Sequence, residues 1–154
     1  MTMPADSPAR PGAVIERFLR SYTDPEGGDL ASVYGPSVVI EMPFAPPGFP
    51  ARTQTSGEQI GARFRAGAAD RRYEKVDSVV LHETADPEVV IVEYAARGRV
   101  LATGEPFAMS CINVMTVRDG RIVHSRDYTN PIAAARVLGI LPEVLERLSA
   151  SGGS

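Results

Sequence analysis

Four strand-like segments follow one another almost without interruption in the second half of the chain, and no other feature constrains the fold as much. They run over about Tyr73–Glu83, Val89–Leu101, Phe107–Arg118 and Arg121–Tyr128. Each is rich in β-branched or apolar residues and is bounded by turn-forming residues. Asp119-Gly120 is a hairpin turn signal between the last two. The run therefore reads as an antiparallel sheet.

Helical signals lie on either side of it. Val14, Ile15, Phe18, Leu19 and Tyr22 give one apolar face to a first helix that starts near Pro11. Asp29 is placed to cap a short second helix, Leu30 to Tyr34, which Gly35-Pro36 ends. Val38 to Met42 reads as a strand. Pro43 to Pro50 contains four prolines and is expected to be an irregular loop, weighted by Phe44 and Phe49. Ser56-Gly57-Glu58-Gln59 reads as a capping box for a third helix with Ile60 and Phe64 inward. Asn130-Pro131 caps a final helix through Leu138, closed by Gly139, and a short helix follows from Pro142. Helices that precede and follow a run of strands indicate an α+β fold. The expected form is a curved, mostly antiparallel sheet wrapped around helices, with a cone-shaped pocket. The domain is expected over 11–148, with flexible tails at 1–10 and 149–154.

Composition narrows the class. The chain has 154 residues, enough for one domain, with 44% hydrophobic and 23% charged residues. Its longest aliphatic run, Val89 to Val92, is far short of a membrane span. A net charge of −3 argues against a nucleic-acid partner. Cys111 is the single cysteine, so no intrachain disulfide forms, and with His82 and His124 it supplies no ordinary zinc set. Gly98 and Gly104 read as isolated turn glycines rather than a phosphate loop. No metal and no cofactor are expected. The polar, proline-rich start lacks a signal-peptide core, which gives a cytoplasmic expectation.

Three stretches carry a resemblance over about residues 11–138. They are Ser56-Gly57-Glu58-Gln59-Ile60, then Gly104-Glu105-Pro106-Phe107 with Asp119-Gly120-Arg121-Ile122-Val123, and finally Arg126-Asp127-Tyr128-Thr129-Asn130-Pro131. In this order the chain resembles the nuclear transport factor two superfamily, and within it the SnoaL-like polyketide cyclases, ketosteroid isomerases and limonene-epoxide hydrolases. The ketosteroid isomerase tyrosine falls on Phe18, its proton-shuttling aspartate on Met42, and its oxyanion aspartic acid on Asn113. That chemistry is therefore not expected. Of the epoxide hydrolase set only the last-strand carboxylate survives, as Asp127. The other positions fall on Tyr94, Ala96, Val39 and Glu41.

The resemblance, joined to strand parity, directs Val123, Ser125, Asp127 and Thr129 into the pocket. Val90, Val92, Tyr94 and Ala96 face the same way, as do Met109, Cys111, Asn113 and Met115, with Ile40 and Met42. A few polar tips in an apolar cleft suit a hydrophobic small-molecule substrate. Asp127 is the expected general acid/base, since an apolar wall disfavours its charge. An arginine ion pair is the alternative. Tyr94 and Asn113 are expected to hold a substrate oxygen, or else to be core and sheet residues. Substrate binding is expected from Phe18, Tyr22, Ile40, Met42, Phe44, Phe64, Val92, Met109, Cys111, Met115 and Thr129. Cys111 reads as small core filling rather than a nucleophile. Glu41, Glu93, His82 and His124 read as surface or interface residues. Arg63, Arg65, Arg71 and Arg72 read as a solvated face, with anion capture as the lesser alternative.

The expected function is cofactor-free cyclisation or isomerisation of a carbonyl-bearing metabolite, in polyketide-type secondary metabolism such as antibiotic biosynthesis. The alternatives are an epoxide hydrolase or epoxide-opening cyclase, and a non-catalytic pocket protein. Ala108, Ser110, Ile112 and Val114 alternate opposite the pocket set, so a homodimer through the outer sheet face is expected.

Overall fold

Pro11 occupies the first turn of helix α1 (Pro11–Ser21), whose buried stripe is Val14, Ile15, Phe18 and Leu19. The computed structural model describes residues 10–25, 27–28 and 30–152. The cap expected at Asp29 lies outside them, as does most of the expected N-terminal tail. Helix α2 (Leu30–Val33) is followed directly by strand β1 (Tyr34–Glu41). Then come β2 (Arg52–Thr55), α3 (Gly57–Gly67), β3 (Arg71–Glu83), β4 (Val89–Val100), β5 (Pro106–Arg118), β6 (Arg121–Thr129), α4 (Pro131–Leu138) and α5 (Leu141–Ser151).

The six strands form one sheet in the order β2-β1-β6-β5-β4-β3. Every pairing is antiparallel except β1 with β6, which is parallel. The fold is α+β, as expected. Helix α1 lies across β3, β4 and β5. On that concave face Val90, Val92, Tyr94 and Ala96 of β4 meet Met109, Cys111, Asn113, Met115 and Val117 of β5, all buried. Asp119 and Gly120 both take positive φ, 53° and 74°, as the tight β5–β6 hairpin requires.

Several local readings change. Gly35-Pro36 does not merely end a helix; both residues belong to β1. The ladder to β6 shifts register between Tyr34 and Val39, so the absent proline N–H interrupts no regular bond. Strand β2 carries no apolar alternation, which hides it from pattern reading. Gly98 is no turn glycine but lies within β4, where a Cβ would come 2.0 Å from the Arg72 carbonyl oxygen. Only half of the capping box forms: Ser56 accepts from the Gln59 N–H, whereas the Gln59 side chain accepts from Thr55 Oγ1. On β6 the register slips beside Val123, so Ile122 is buried opposite Val117 and Val123 leaves the inward set. Helix α5 continues to Ser151, three residues past the expected domain end. Among the described residues no helix is long and apolar enough to cross a membrane.

The outer sheet face has an apolar centre and a charged border. Ile112 is 42% exposed and sits between Glu93 and Tyr128 in register, with Val114 between Ile91 and Arg126. Around them His82 meets Glu93, Arg97 meets Asp77, and Glu41 meets both His124 and Arg52. An apolar centre inside a polar rim is the anatomy of an interface. We expect a second copy to cover this face. Light scattering at micromolar concentration should give twice the 16.5 kDa chain mass, and Ile112→Lys should halve it while the protein stays folded. A wild-type mass of one chain would refute the homodimer.

Candidate functional site

Asp127 projects from β6 directly opposite Asn113 of β5. Asn113 Nδ2 donates to Asp127 Oδ1 at 2.7 Å, and Ser125 Oγ donates to the same oxygen at short range. Ser125 and Asn113 are 0% and 3% exposed, so both donors are fixed by packing. Asp127 Oδ2 takes no hydrogen bond from the described residues. Asn113 Oδ1 is buried and has no partner among them. An unpaired buried acceptor is costly, and such costs gather where a group is held for function. Among the described residues no arginine pairs with Asp127.

Burial pushes the Asp127 carboxyl above its ordinary range. The donors on Ser125 and Asn113, and the nearby His124, pull the other way, but burial wins. The result is a carboxyl oriented through one oxygen, with the other oxygen left for chemistry.

A cavity of about 460 Å³ opens beside it. Ile40, Asp127 and Thr129 form its sheet floor. Met42, Phe44, Ala45, Pro46 and Phe49 of the proline-rich loop form one wall. Ile60, Arg63 and Phe64 of α3 form another, and Ala134, Ala135 and Leu138 of α4 close the far side. The loop is held there by its aromatics: Phe44 meets Tyr128 at a ring separation of 5.5 Å, and Arg147 of α5 lies over Phe49.

Of the residues expected to bind substrate, Ile40, Met42, Phe44, Phe64 and Thr129 border this cavity. Phe18, Val92, Met109 and Met115 do not; they are 4%, 0%, 8% and 0% exposed and belong to the core. Tyr22 does not border this cavity either; it lines a small crevice by Phe64. Its hydroxyl is 2.9 Å from that of Tyr94, and Phe18, Tyr22, Phe64, Tyr73 and Tyr94 stack mostly edge to face. This aromatic cluster packs the space between α1, α3 and the sheet. Tyr94 is 4% exposed and does not border the Asp127 cavity, which corrects its expected place beside a substrate oxygen. Burial raises both hydroxyl pKa values well above the ordinary tyrosine range. Asn113 is corrected similarly: it is 3% exposed, does not border the cavity, and donates one amide N–H to Asp127. Cys111 is 5% exposed, with burial pushing its thiol up, and it contacts Thr129 Oγ1 at 3.7 Å. It fits core filling.

Three polar residues of the site are not among the catalytic or substrate-binding residues expected from the sequence, although Ser125 is directed inward there and anion capture is the lesser reading of Arg63 and Arg71. Ser125 shares a face with Asp127 by parity, which was the available signal. Arg63 and Arg71 border the cavity, and only the helix-end geometry reveals them. Among the described residues no three of His, Cys, Asp and Glu converge as metal ligands would.

With this geometry in place, comparisons with known proteins become informative. The pattern of the SnoaL-like domain matches residues 15–125. An uncharacterised PhzA/B-like protein of Pseudomonas aeruginosa is 34% identical over 126 residues, covering 82% of this chain and 88% of that protein. The uncharacterised YesE of Bacillus subtilis is 29% identical over the same length, covering 82% and 80%. A crystal structure of a candidate isomerase from Bacillus subtilis superposes with a TM-score of 0.73 at 27% identity, covering 84% of this chain and 92% of that one. A protein from Catenulispora acidiphila with a ketosteroid isomerase-like fold gives 0.62 at 16%, covering 82% and 92%, which speaks for the fold alone. The resemblance read from the sequence is borne out.

A raised folded-state pKa means the native chain binds the Asp127 proton more tightly than the unfolded chain. The ionised carboxylate therefore costs stability. That cost is absent below the unfolded pKa, grows as pH rises toward the folded pKa, and is constant above it. Asp127→Asn should melt at least as high as the parent at pH 7, with the gap in its favour widening from about pH 4 upward. Melting curves across that range check this. A parent that gains on the variant as pH rises would show a structural ion pair instead.

Proposed function

The chain belongs to the SnoaL-like domain family, and on that premise we propose a cofactor-free cyclase or isomerase that works by acid–base chemistry at Asp127 on a hydrophobic, carbonyl-bearing metabolite of polyketide type. The observation that carries this reading is the asymmetry of the carboxyl. Two buried donors hold Oδ1, while Oδ2 has no partner among the described residues and the residue borders an apolar cavity. A carboxylate held by an arginine would suit binding alone; this one is held by neutral groups.

In the proposed reaction Oδ2 takes a proton from a carbon next to a carbonyl. The C–H electron pair passes into an enolate, and Asp127 becomes the acid. In an isomerisation the proton returns to a different carbon. In a cyclisation the enolate carbon attacks a second carbonyl, and Asp127 delivers its proton to the alkoxide that results. Either way the carboxylate ends as it began. Its elevated pKa brings it toward neutrality, where it can both accept and return a proton. Thr129, further along the same strand face and bordering the same cavity, offers a hydroxyl to the developing oxyanion. Asn113 and Ser125 are positioning residues.

The apolar lining suits a polycyclic or aliphatic skeleton. Asp127 is the carboxylate among the cavity residues, which favours this reading over epoxide opening by a carboxylate pair.

Enolisation can be read without knowing the substrate. In D₂O the wild-type protein should speed deuterium exchange at the α-carbons of 2-tetralone, followed by NMR. Asp127→Asn should lower that acceleration by roughly 10²-fold or more while remaining folded. No acceleration by wild type, or none lost in the variant, would move a non-catalytic pocket protein ahead. Ser125→Ala removes a bond that lowers the Asp127 pKa, so the acid limb of the rate–pH profile should move to higher pH. A merely structural Ser125 would lower the rate without moving the limb.

A further inference from the structure

Three charged residues border the cavity: Asp127, Arg63 and Arg71. Asp127 rises from the sheet floor, whereas Arg63 belongs to α3 and Arg71 is the first residue of β3. Both arginines are held in place by neutral groups. Arg63 Nη2 donates at 2.8 Å to Thr55 Oγ1, itself 7% exposed. Thr55 Oγ1 in turn donates to Gln59 Oε1 at 3.0 Å. Arg71 folds back over Gly67, at the end of α3. A Cβ at position 67 would come 2.5 Å from Arg71 Nη2 and 2.9 Å from its Cζ, so the missing side chain is the seat of the guanidinium.

The charge on these two residues is not neutralised. Arg52, Arg97, Arg99 and Arg118 each pair with a carboxylate. Neither Arg63 nor Arg71 meets one among the described residues. Two guanidinium groups that border one apolar cavity, Arg71 half-buried and Arg63 exposed, with no carboxylate partner among the described residues, can receive an anion, and their planar forks match a carboxylate. That anion would sit apart from Asp127, because a second carboxylate beside it would repel the ionised form. No arginine is among the groups that shift Asp127, in keeping with a separate site.

We propose that Arg63 and Arg71 form a carboxylate-binding rim, and that the substrate of this protein is a hydrophobic carbonyl compound bearing a carboxylate at the end remote from the carbon that Asp127 deprotonates. This rests on reading the cavity as the substrate site. Its test is a binding measurement and is independent of whether Asp127 is catalytic.

Calorimetry with 2-naphthoate and with the neutral 2-acetylnaphthalene, similar in shape, reads the preference directly. Wild type at low ionic strength should bind the carboxylate about tenfold more tightly, and salt near 0.5 M should erode the difference. The double variant Arg63→Gln/Arg71→Gln should lose the preference and keep its affinity for the ketone. Gly67→Ala keeps both charges but displaces the Arg71 seat, so it should weaken naphthoate binding alone. Asp127→Asn should retain the preference, even if that variant proves catalytically normal and the acid–base reading fails. Melting curves matched to the parent separate a lost site from a lost fold. Equal affinity for the two compounds in wild type, a preference that survives in the double variant, or binding of neither compound would overturn the proposal.

Discussion

The rest of the structure depends on the ladder between β4 and β5. It runs without a register shift from Val89 opposite Thr116 to Arg99 opposite Pro106. An unbroken antiparallel ladder fixes side-chain parity over its whole length, since slipping by one residue would exchange the two faces. Its inner row, from Val90 to Ala96 and from Met109 to Val117, is nearly all buried and offers α1 a continuous apolar floor. Every other strand joins with an irregularity or is short. Strand β3 has bulges at two places, β6 shifts near Val123, and β1 shifts between Tyr34 and Val39. These irregular strands take the sheet's form from its regular centre.

The space on the concave side of the sheet is divided between packing and an open cavity. The aromatic cluster around Tyr22 and Tyr94 occupies the space beneath α1. The open volume lies instead between the sheet floor at Ile40, Asp127 and Thr129 and the covering loop, α3 and α4. Interiors pack to crystal-like density, so a cavity persists only where covering elements are held apart. Here the proline-rich loop does this, because its prolines keep it from joining the sheet and its aromatics anchor it at Tyr128 and Arg147.

The electrostatics of the site follow from this division. Asp127 sits at the border of core and cavity, where burial resists its charge and two donors support it. The acidic and basic pairs of the chain are kept to the outer face and the strand ends, such as Glu41 with His124 and Arg118 with Glu88. Few charges therefore border the cavity, and those that do, Asp127, Arg63 and Arg71, are separated onto different elements.

Much of this was legible in the residues. The strand run, the Asp119-Gly120 turn, the Asn130-Pro131 cap and the alternation along β4 and β5 depend on local chemistry, whereas which alternating set faces inward, Asp127 included, comes from the resemblance joined to parity. Turn geometry, capping and alternation are set by neighbours within a few residues. The arrangement of the site was decided elsewhere. Parity cannot say whether an inward residue meets other side chains or empty space, so Tyr94 and Val92 looked the same as Thr129. That distinction depends on how far α1, α3 and α4 stand from the sheet. Parity also fails at a bulge, which removed Val123 and brought in Ile122. Arg63 is exposed, as a solvated face requires, and Arg71 is half-buried; that both also border the cavity follows from their seats, Thr55 and Gly67, which matter only once α3 lies over the sheet. The sequence by itself determined which elements form and which face each presents. Tertiary structure alone decided which inward residues border the cavity, because a cavity is a distance between elements and no single segment encodes it.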